Sequence, residues 1–349
     1  MSHTRFLSPG SFRALAKTGF SDVNVLVVGD IMLDQYVDGE VNRISPEAPV
    51  PVLSVRKRRC VPGGAANAAL NVAGLGAKVA LAGIVGADLA GQTVRELLSG
   101  AGVDTECLVR VPFRPTTSKT RIISGTHQIV RLDEEITDVL QEDCEQELID
   151  RVVSHLNRGN FAAVILSDYG KGVLSSTCPQ VLVQECRRRG MPVLVDPKRL
   201  DYGAYKGATF ITPNQKEFHA AAAAVGISAN DFDAAGLMFQ EHLQCSALLV
   251  TQGAGGMTLF TSGQAKHLPA LAEEVFDVSG AGDTVVATLG VVLGFGLDFS
   301  SAVELANAAA SIVVRRAGTT PVSWADLSEL LGIDSLSRPA EESAVRAAT

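Results

Sequence analysis

None of the six cysteines (Cys60, Cys107, Cys144, Cys178, Cys186, Cys245) has another within two to four residues. That spacing excludes zinc ribbons and CxxC redox pairs, and a chain of 349 residues does not need a disulfide scaffold. Reduced thiols are expected. Positive charge is also short: 30 Lys and Arg stand against 38 Asp and Glu, a net charge of −8. Such a balance gives no support to a nucleic-acid surface and leaves room only for a local basic pocket. The N-terminus has no sustained apolar run before a small-residue cleavage site, so no secretory signal is expected. The uncharged apolar stretch 284–297 is too short and too Gly-rich to span a bilayer and reads as a buried helix. A soluble, cytoplasmic protein with no membrane or nucleic-acid partner is the expectation. Also missing are GxxxxGK[ST], a complete GxGxxG, GxSxG and HExxH, so the chemistries those motifs carry are unsupported.

What is present is apolar and alternating. Hydrophobic residues make up 46% of the chain, enough for the core of one large or two ordinary domains. Short Val/Ile/Leu runs at 23–30, 79–86, 162–168, 192–196 and 247–251 read as buried strands. Helical patterns fall at 64–75, 89–101, 142–157, 175–189, 215–225, 231–244, 282–295 and 300–316. The alternation predicts an α/β fold with a central, mainly parallel sheet and helices on both faces. Asp30, Asp168, Asp196 and Thr251 end strands, and ligands of such sheets bind beyond the strands' carboxyl ends. Residues 37–56 and 105–133 break the pattern with short alternating strands and no helix between them. They are expected to form a small antiparallel sheet acting as a lid. Residues 1–22 read as a loosely held leader, 23–333 as one domain and 334–349 as a disordered tail. Trp324 is expected to anchor the core or the lid.

The strongest motif is DVSGAGDTV (277–285), which opens an apolar helix. Gly280, Ala281 and Gly282 let a ligand approach the backbone, and first-turn N–H groups with the positive dipole end form an anion cradle around Asp283. Taken alone, Asp283 reads equally well as a helix cap. GGAAN (63–67) sets Gly63 and Gly64 before Asn67 at a helix start. In GDIMLD (29–34), Asp30 and Asp34 follow a strand and suit sugar hydroxyls. In TPNQKEF (212–218), Asn214 and Glu217 share a face and serve either hydrated Mg²⁺ or a capping box. TQGAGG (251–256) runs from a strand end into a turn able to pass beneath a nucleotide.

In chain order, Gly-Gly (63–64), Asn-x-x-Glu (214–217), Thr-x-Gly (251–253) and Gly-Ala-Gly-Asp (280–283) resemble the ribokinase-like (PfkB) sugar kinases over about residues 23–331. RISPEAPVPV (43–52), PGGAANAALNVAGLGA (62–77), SDYGKGVL (167–174) and DPK (196–198) are similar, more narrowly, to members that phosphorylate D-glycero-D-manno-heptose 7-phosphate at C1 for the lipopolysaccharide core. Many of those are fused to an adenylyltransferase bearing HxGH. No His here forms that motif, so a stand-alone kinase is expected. Ser279 departs from the Thr common in the family, with no consequence expected. The resemblance implies a ribokinase-like fold, ATP and Mg²⁺ as cofactors, and Asp283 as general base over the Gly280–Asp283 backbone. It implies sugar contacts at Asp34, Gly63, Gly64 and Asn67, and leaves open whether a monovalent cation activates.

A phosphorylated substrate also requires cations, for which Lys119, Arg121, Arg131, Lys171 and Lys198 are candidates, with Asp168 and Asp196 at the strand ends among the substrate residues. Arg43 is placed to reach the site from the lid or from a second subunit. Adenine is expected over Thr251, Gly253 and Gly256 with Asn307 nearby, and the metal at Glu217 and Asn214. Val41, Ile44, Ile122 and Ile129 give the lid an apolar face, predicting a homodimer. A fructose-phosphate or ribose kinase, or a non-catalytic sugar sensor, are the alternatives.

Overall fold

The computed structural model describes residues 15–333 except 176, 273 and 317. The expected tail at 334–349, and the leader as far as residue 14, lie outside them. Nine strands form one sheet in the order β13-β12-β11-β10-β9-β8-β1-β4-β5. They are β1 (Asn24–Gly29), β4 (Lys78–Gly86), β5 (Leu108–Val111), β8 (Ala163–Ser167), β9 (Val193–Asp196), β10 (Phe210–Ile211), β11 (Ala247–Thr251), β12 (Met257–Thr261) and β13 (Gln264–Leu268). Every pairing from β11 to β5 is parallel; the β12–β13 hairpin closes one edge antiparallel.

Parallel strands covered on both faces read as unbroken apolar runs because each face needs its own core. In β1, Val25 and Val27 enter one core while Leu26 and Val28 enter the other. The first core is built with helices α1 (Ala65–Gly74), α7 (Ala281–Gly294), α8 (Phe299–Val313) and α9 (Trp324–Leu331). The second takes α3 (Glu142–Arg158), α4 (Cys178–Arg188), α5 (Gln215–Ala224) and α6 (Phe232–Leu243). Helix α2 (Leu89–Gly100) starts at an Asp88 cap. α7 is buried on all sides from Asp283 to Leu293, the setting expected of an apolar helix without a polar face. It lies so close to the sheet that a methyl at Gly290 would meet Ile165 at 2.7 Å.

The second sheet, in the order β3-β2-β6-β7, is the lid: β2 (Ile31–Ile44), β3 (Pro51–Gly64), β6 (Thr117–Ser124) and β7 (His127–Glu134). Two antiparallel hairpins meet along a parallel β2–β6 seam. Residues 105–116 do not join it; β5 pairs with β4 in the main sheet. The loose leader expected to residue 22 is corrected from residue 15 onward. Leu15 and Phe20 are buried, and Phe20 packs edge-on against Phe295 and Trp324 at 5.7 and 5.1 Å. Trp324 is therefore a core anchor. Among the described residues no helix is long and apolar enough to cross a membrane.

Candidate active site

Helix α7 begins at Gly280, whose φ of 80° is left-handed and suits a residue without Cβ. A methyl there would lie 2.9 Å from Asn67 Nδ2. The N–H of Ala281 turns back to Val278 O, which removes it from the expected cradle. Those of Gly282 and Asp283 have no acceptor among the described residues, and beside Gly282 a Cβ would meet only Asp196 Oδ2 at 3.9 Å. Two free donors at the positive end of a buried helix make a site for an anion.

Asp283 is not a helix cap. Its side chain is buried; Oδ2 accepts from Asn67 Nδ2 at 2.6 Å and Oδ1 from the Tyr169 hydroxyl at 2.7 Å. Burial raises its pKa to about 6 against the lowering effect of these two donors, and the nearby Asp34 carboxylate raises it further. Asn67 is itself fixed, since Asn71 Nδ2 bonds its carbonyl and Asn71 Oδ1 accepts from Thr284 and from the Val322 N–H. The buried Asn67 Oδ1 has no partner among the described residues, an acceptor facing no donor.

On one side of Asp283 is an apolar cleft of about 370 Å³. Thr251, Gly253, Gly256, Val278, Gly282 and Asn307 contribute to its walls. Gly256, at φ 90°, passes under the Leu268 carbonyl where a Cβ would stand 2.1 Å away. Asn307 is held by the Pro269 carbonyl at 2.8 Å. The expected nucleotide residues thus share one cleft that ends at the α7 N-terminus. Met257, Leu271 and Val314, which also line it, carry no sequence signal beyond being apolar.

On the other side are Gly63, Gly64 and Asp34. Gly63 leaves room for Asp34, whose Oδ2 would be 2.4 Å from a Cβ, and Arg121 bonds Asp34 Oδ1 at 2.5 Å. Lys119 and Lys171 converge on opposite oxygens of Glu135, at 3.1 and 2.8 Å. Glu135 is held below its ordinary pKa, chiefly by Lys171. Arg131 is forked onto Asp133. Lys198 is paired with Glu217, apart from the lid cations. Arg43 is exposed at the lid tip, about 30 Å along β2 from Asp34 by strand rise.

Two expected sugar carboxylates are corrected. Asp30 is buried and spends its oxygens on the N–H groups of Tyr169, Lys171 and Val173. Asp168 is buried too, its oxygens taken by Gly170 N–H, Arg199 and the Tyr205 hydroxyl. Neither is open to a substrate. Asp196 lies by the cradle with its pKa raised by burial, then by Asp283 and Glu217.

Asn214 and Glu217 form a full capping box on α5, and Glu217 also takes Lys198 at 2.9 Å. The amide oxygen of Asn214 is spent on the cap. Glu217 retains lone pairs, so the pair fits a hydrated Mg²⁺ held through water and does not fit direct coordination by Asn214.

A buried carboxylate at a helix start, beside an apolar cleft, lies here at the carboxyl ends of the mostly parallel sheet of a ribokinase-like fold. The model of the pfkB family of carbohydrate kinases matches residues 23–326. The chain belongs to that family and is a carbohydrate kinase. It is 44% identical over 314 residues to the bifunctional protein HldE of Geobacter sulfurreducens, covering 89% of this chain and 63% of that one. It is 46% identical over 316 residues to HldE of Pseudomonas aeruginosa, covering 90% and 64%. The chain therefore spans less than two-thirds of the length of these relatives. In fold it is similar to Arabidopsis thaliana ribokinase complexed with ribose and ATP, with a TM-score of 0.67 at 20% identity, covering 88% of this chain and 98% of that one. Escherichia coli phosphofructokinase-2 in complex with potassium gives 0.70 at 21%, covering 90% and 99%.

Proposed function

We propose that this kinase transfers the γ-phosphoryl group of ATP to the C1 hydroxyl of D-glycero-D-manno-heptose 7-phosphate. The observation that carries the reading is Asp283, buried next to the cleft-lining Gly282 with both oxygens oriented by donors. The sugar's C1 oxygen attacks the γ-phosphorus, the bond to the ADP oxygen breaks, and the hydroxyl proton passes to the Asp283 carboxylate. Gly282 and Asp283 N–H groups hold the phosphoryl oxygens as charge shifts among them. Asn67 Oδ1, without a donor of its own, accepts a neighbouring sugar hydroxyl, and Asp34 accepts another. Mg²⁺, when bound near Glu217, neutralises phosphate charge.

The 7-phosphate is assigned to Lys119 and Lys171, the pair of ammonium groups that share a single carboxylate. HldE relatives support the heptose assignment, as do the segments shared with heptose kinases. The exposed lid residues Val55, Val130 and Leu132 support a homodimer closed lid to lid.

The test is ATP consumption by the purified chain against a panel of heptose 7-phosphate, heptose, fructose 6-phosphate and ribose. Heptose 7-phosphate is expected to give a kcat/KM at least about a hundredfold above the unphosphorylated heptose, since only the phosphate makes charge-assisted hydrogen bonds to Lys119 and Lys171. Preference for another sugar reassigns the substrate, and binding of sugar without turnover marks a sensor.

A further inference from the structure

The carboxylate of Asp283 is gripped from two sides, and only one grip is accounted for by the sugar pocket. We propose that Tyr169 is a positioning residue for the base: its hydroxyl fixes the Asp283 carboxylate with a lone pair turned toward the acceptor hydroxyl and keeps the buried group ionised. The inference rests on the reading of Asp283 as general base.

The geometry that supports it extends past one hydrogen bond. The loop 168–173 is tied down along its backbone. Asp30 takes the N–H groups of Tyr169 at 2.8 Å, Lys171 at 3.0 Å and Val173 at 3.1 Å. Asp168 takes that of Gly170 at 2.7 Å and is itself anchored by Arg199 and Tyr205. Arg114 reaches across to the Lys171 carbonyl while also binding those of Ile136 and Asp138. Gly170 and Gly172 take φ of 66° and 87°, and at Gly172 a Cβ would stand 2.1 Å from Asp138 O. Two buried carboxylates and a guanidinium are thus committed to holding the backbone from which one phenol reaches Asp283. A site that needs its base oriented to within a fraction of an ångström gains from a second layer of this kind.

The groups facing Asp283 are few. Asp34 on β2, paired with Arg121, and Asp196 at the end of β9, with Lys198 beyond it, are the carboxylates among them, and Asp196 is pushed well above the ordinary carboxylate range by burial and then by Asp283. Asn67 on α1 is neutral. The Tyr169 hydroxyl is pushed well above its ordinary pKa by burial and then by Asp283, so it remains a donor while Asp283 titrates. Without that donor the neutral carboxyl is favoured.

The experiment is the pH dependence of kcat/KM for Tyr169→Phe and the unaltered enzyme. The acid limb is expected to move up by about one pH unit, with a several-fold loss at pH 6 that shrinks by pH 9 and an unchanged KM for ATP. A purely structural role for the hydroxyl lowers activity evenly and leaves the limb in place, which overturns the proposal. Asp283→Asn is measured alongside. If it is inactive while the Phe variant's limb is unmoved, only the Tyr169 inference fails; if it is active, the base assignment fails first. Should Tyr169→Phe not fold, enzyme labelled with 3-fluorotyrosine, a more acidic phenol and a stronger donor, is expected to move the limb down. An unmoved limb there also overturns the proposal.

Discussion

Asp283 shows what a buried carboxylate costs the protein that carries it. Its ordinary pKa near 3.8 rises to about 6 in the folded state, so the native protein holds this proton more tightly than the unfolded chain does. Ionising it therefore costs stability progressively as pH rises from about 4 to about 6, and no more beyond that. The difference corresponds to about 3 kcal/mol. Asp283→Asn removes this penalty. In denaturant titrations its stability relative to the unaltered protein is expected to improve between pH 4 and pH 6 and then level off. Its kcat is expected to fall by about 10² to 10⁴, with ATP affinity retained because the cleft is untouched. A flat stability difference across that pH range would show that the carboxylate is not buried in solution.

At the scale of elements, legibility followed sequence distance. The cradle was readable because Gly280, Gly282 and Asp283 lie next to one another and open an apolar helix. The sequence offers Asn214 and Glu217 as a capping box or as holders of hydrated Mg²⁺; the fold forms the cap and leaves lone pairs on Glu217 for a water-held ion. Asp30 and Asp168 read as sugar ligands at strand ends, and the structure gives them protein partners instead. Nothing local shows that Asp30 will meet three N–H groups some 140 residues away, nor that Tyr205 and Arg199 will close on Asp168. Tyr169 carries no local signal either: its partner Asp283 is 114 residues away in sequence. The β12–β13 hairpin was missed despite alternating residues on either side of Ser262-Gly263, whose positive φ values of 51° and 74° form its turn.

The lid belongs to this scale as well. One face holds Asp34, Lys119 and Arg121, while Val130 and Leu132 point exposed side chains the other way at 45% and 53% of full exposure. Changing both to Lys is expected to halve the mass seen by light scattering, from dimer to monomer, with melting temperature little altered. A monomeric unaltered protein would remove the lid-to-lid reading.

Considered as a whole, the molecule closes its first core with pieces from both ends of the described chain. Phe20, Phe295 and Trp324 meet edge to face beneath α7 and α8. Phe20→Ala is expected to cost about 3 to 5 kcal/mol, measured by chemical denaturation, because a buried ring leaves a cavity the surrounding helices cannot fill. A loss below about 1 kcal/mol would mean that residues 15–22 are not integral to the domain.

The two long lid strands have their roots in the reaction centre. β2 starts directly after Asp30, and β3 runs into Gly64, the first support of the helix that carries Asn67. Each is 14 residues, a rod of about 45 Å at strand rise. Length alone gives such a rod reach: a tilt of about 5° at its base sweeps the far tip through about 4 Å. Any change of angle where the strands begin, beside Asp30 and Gly64, is therefore multiplied at the molecule's rim.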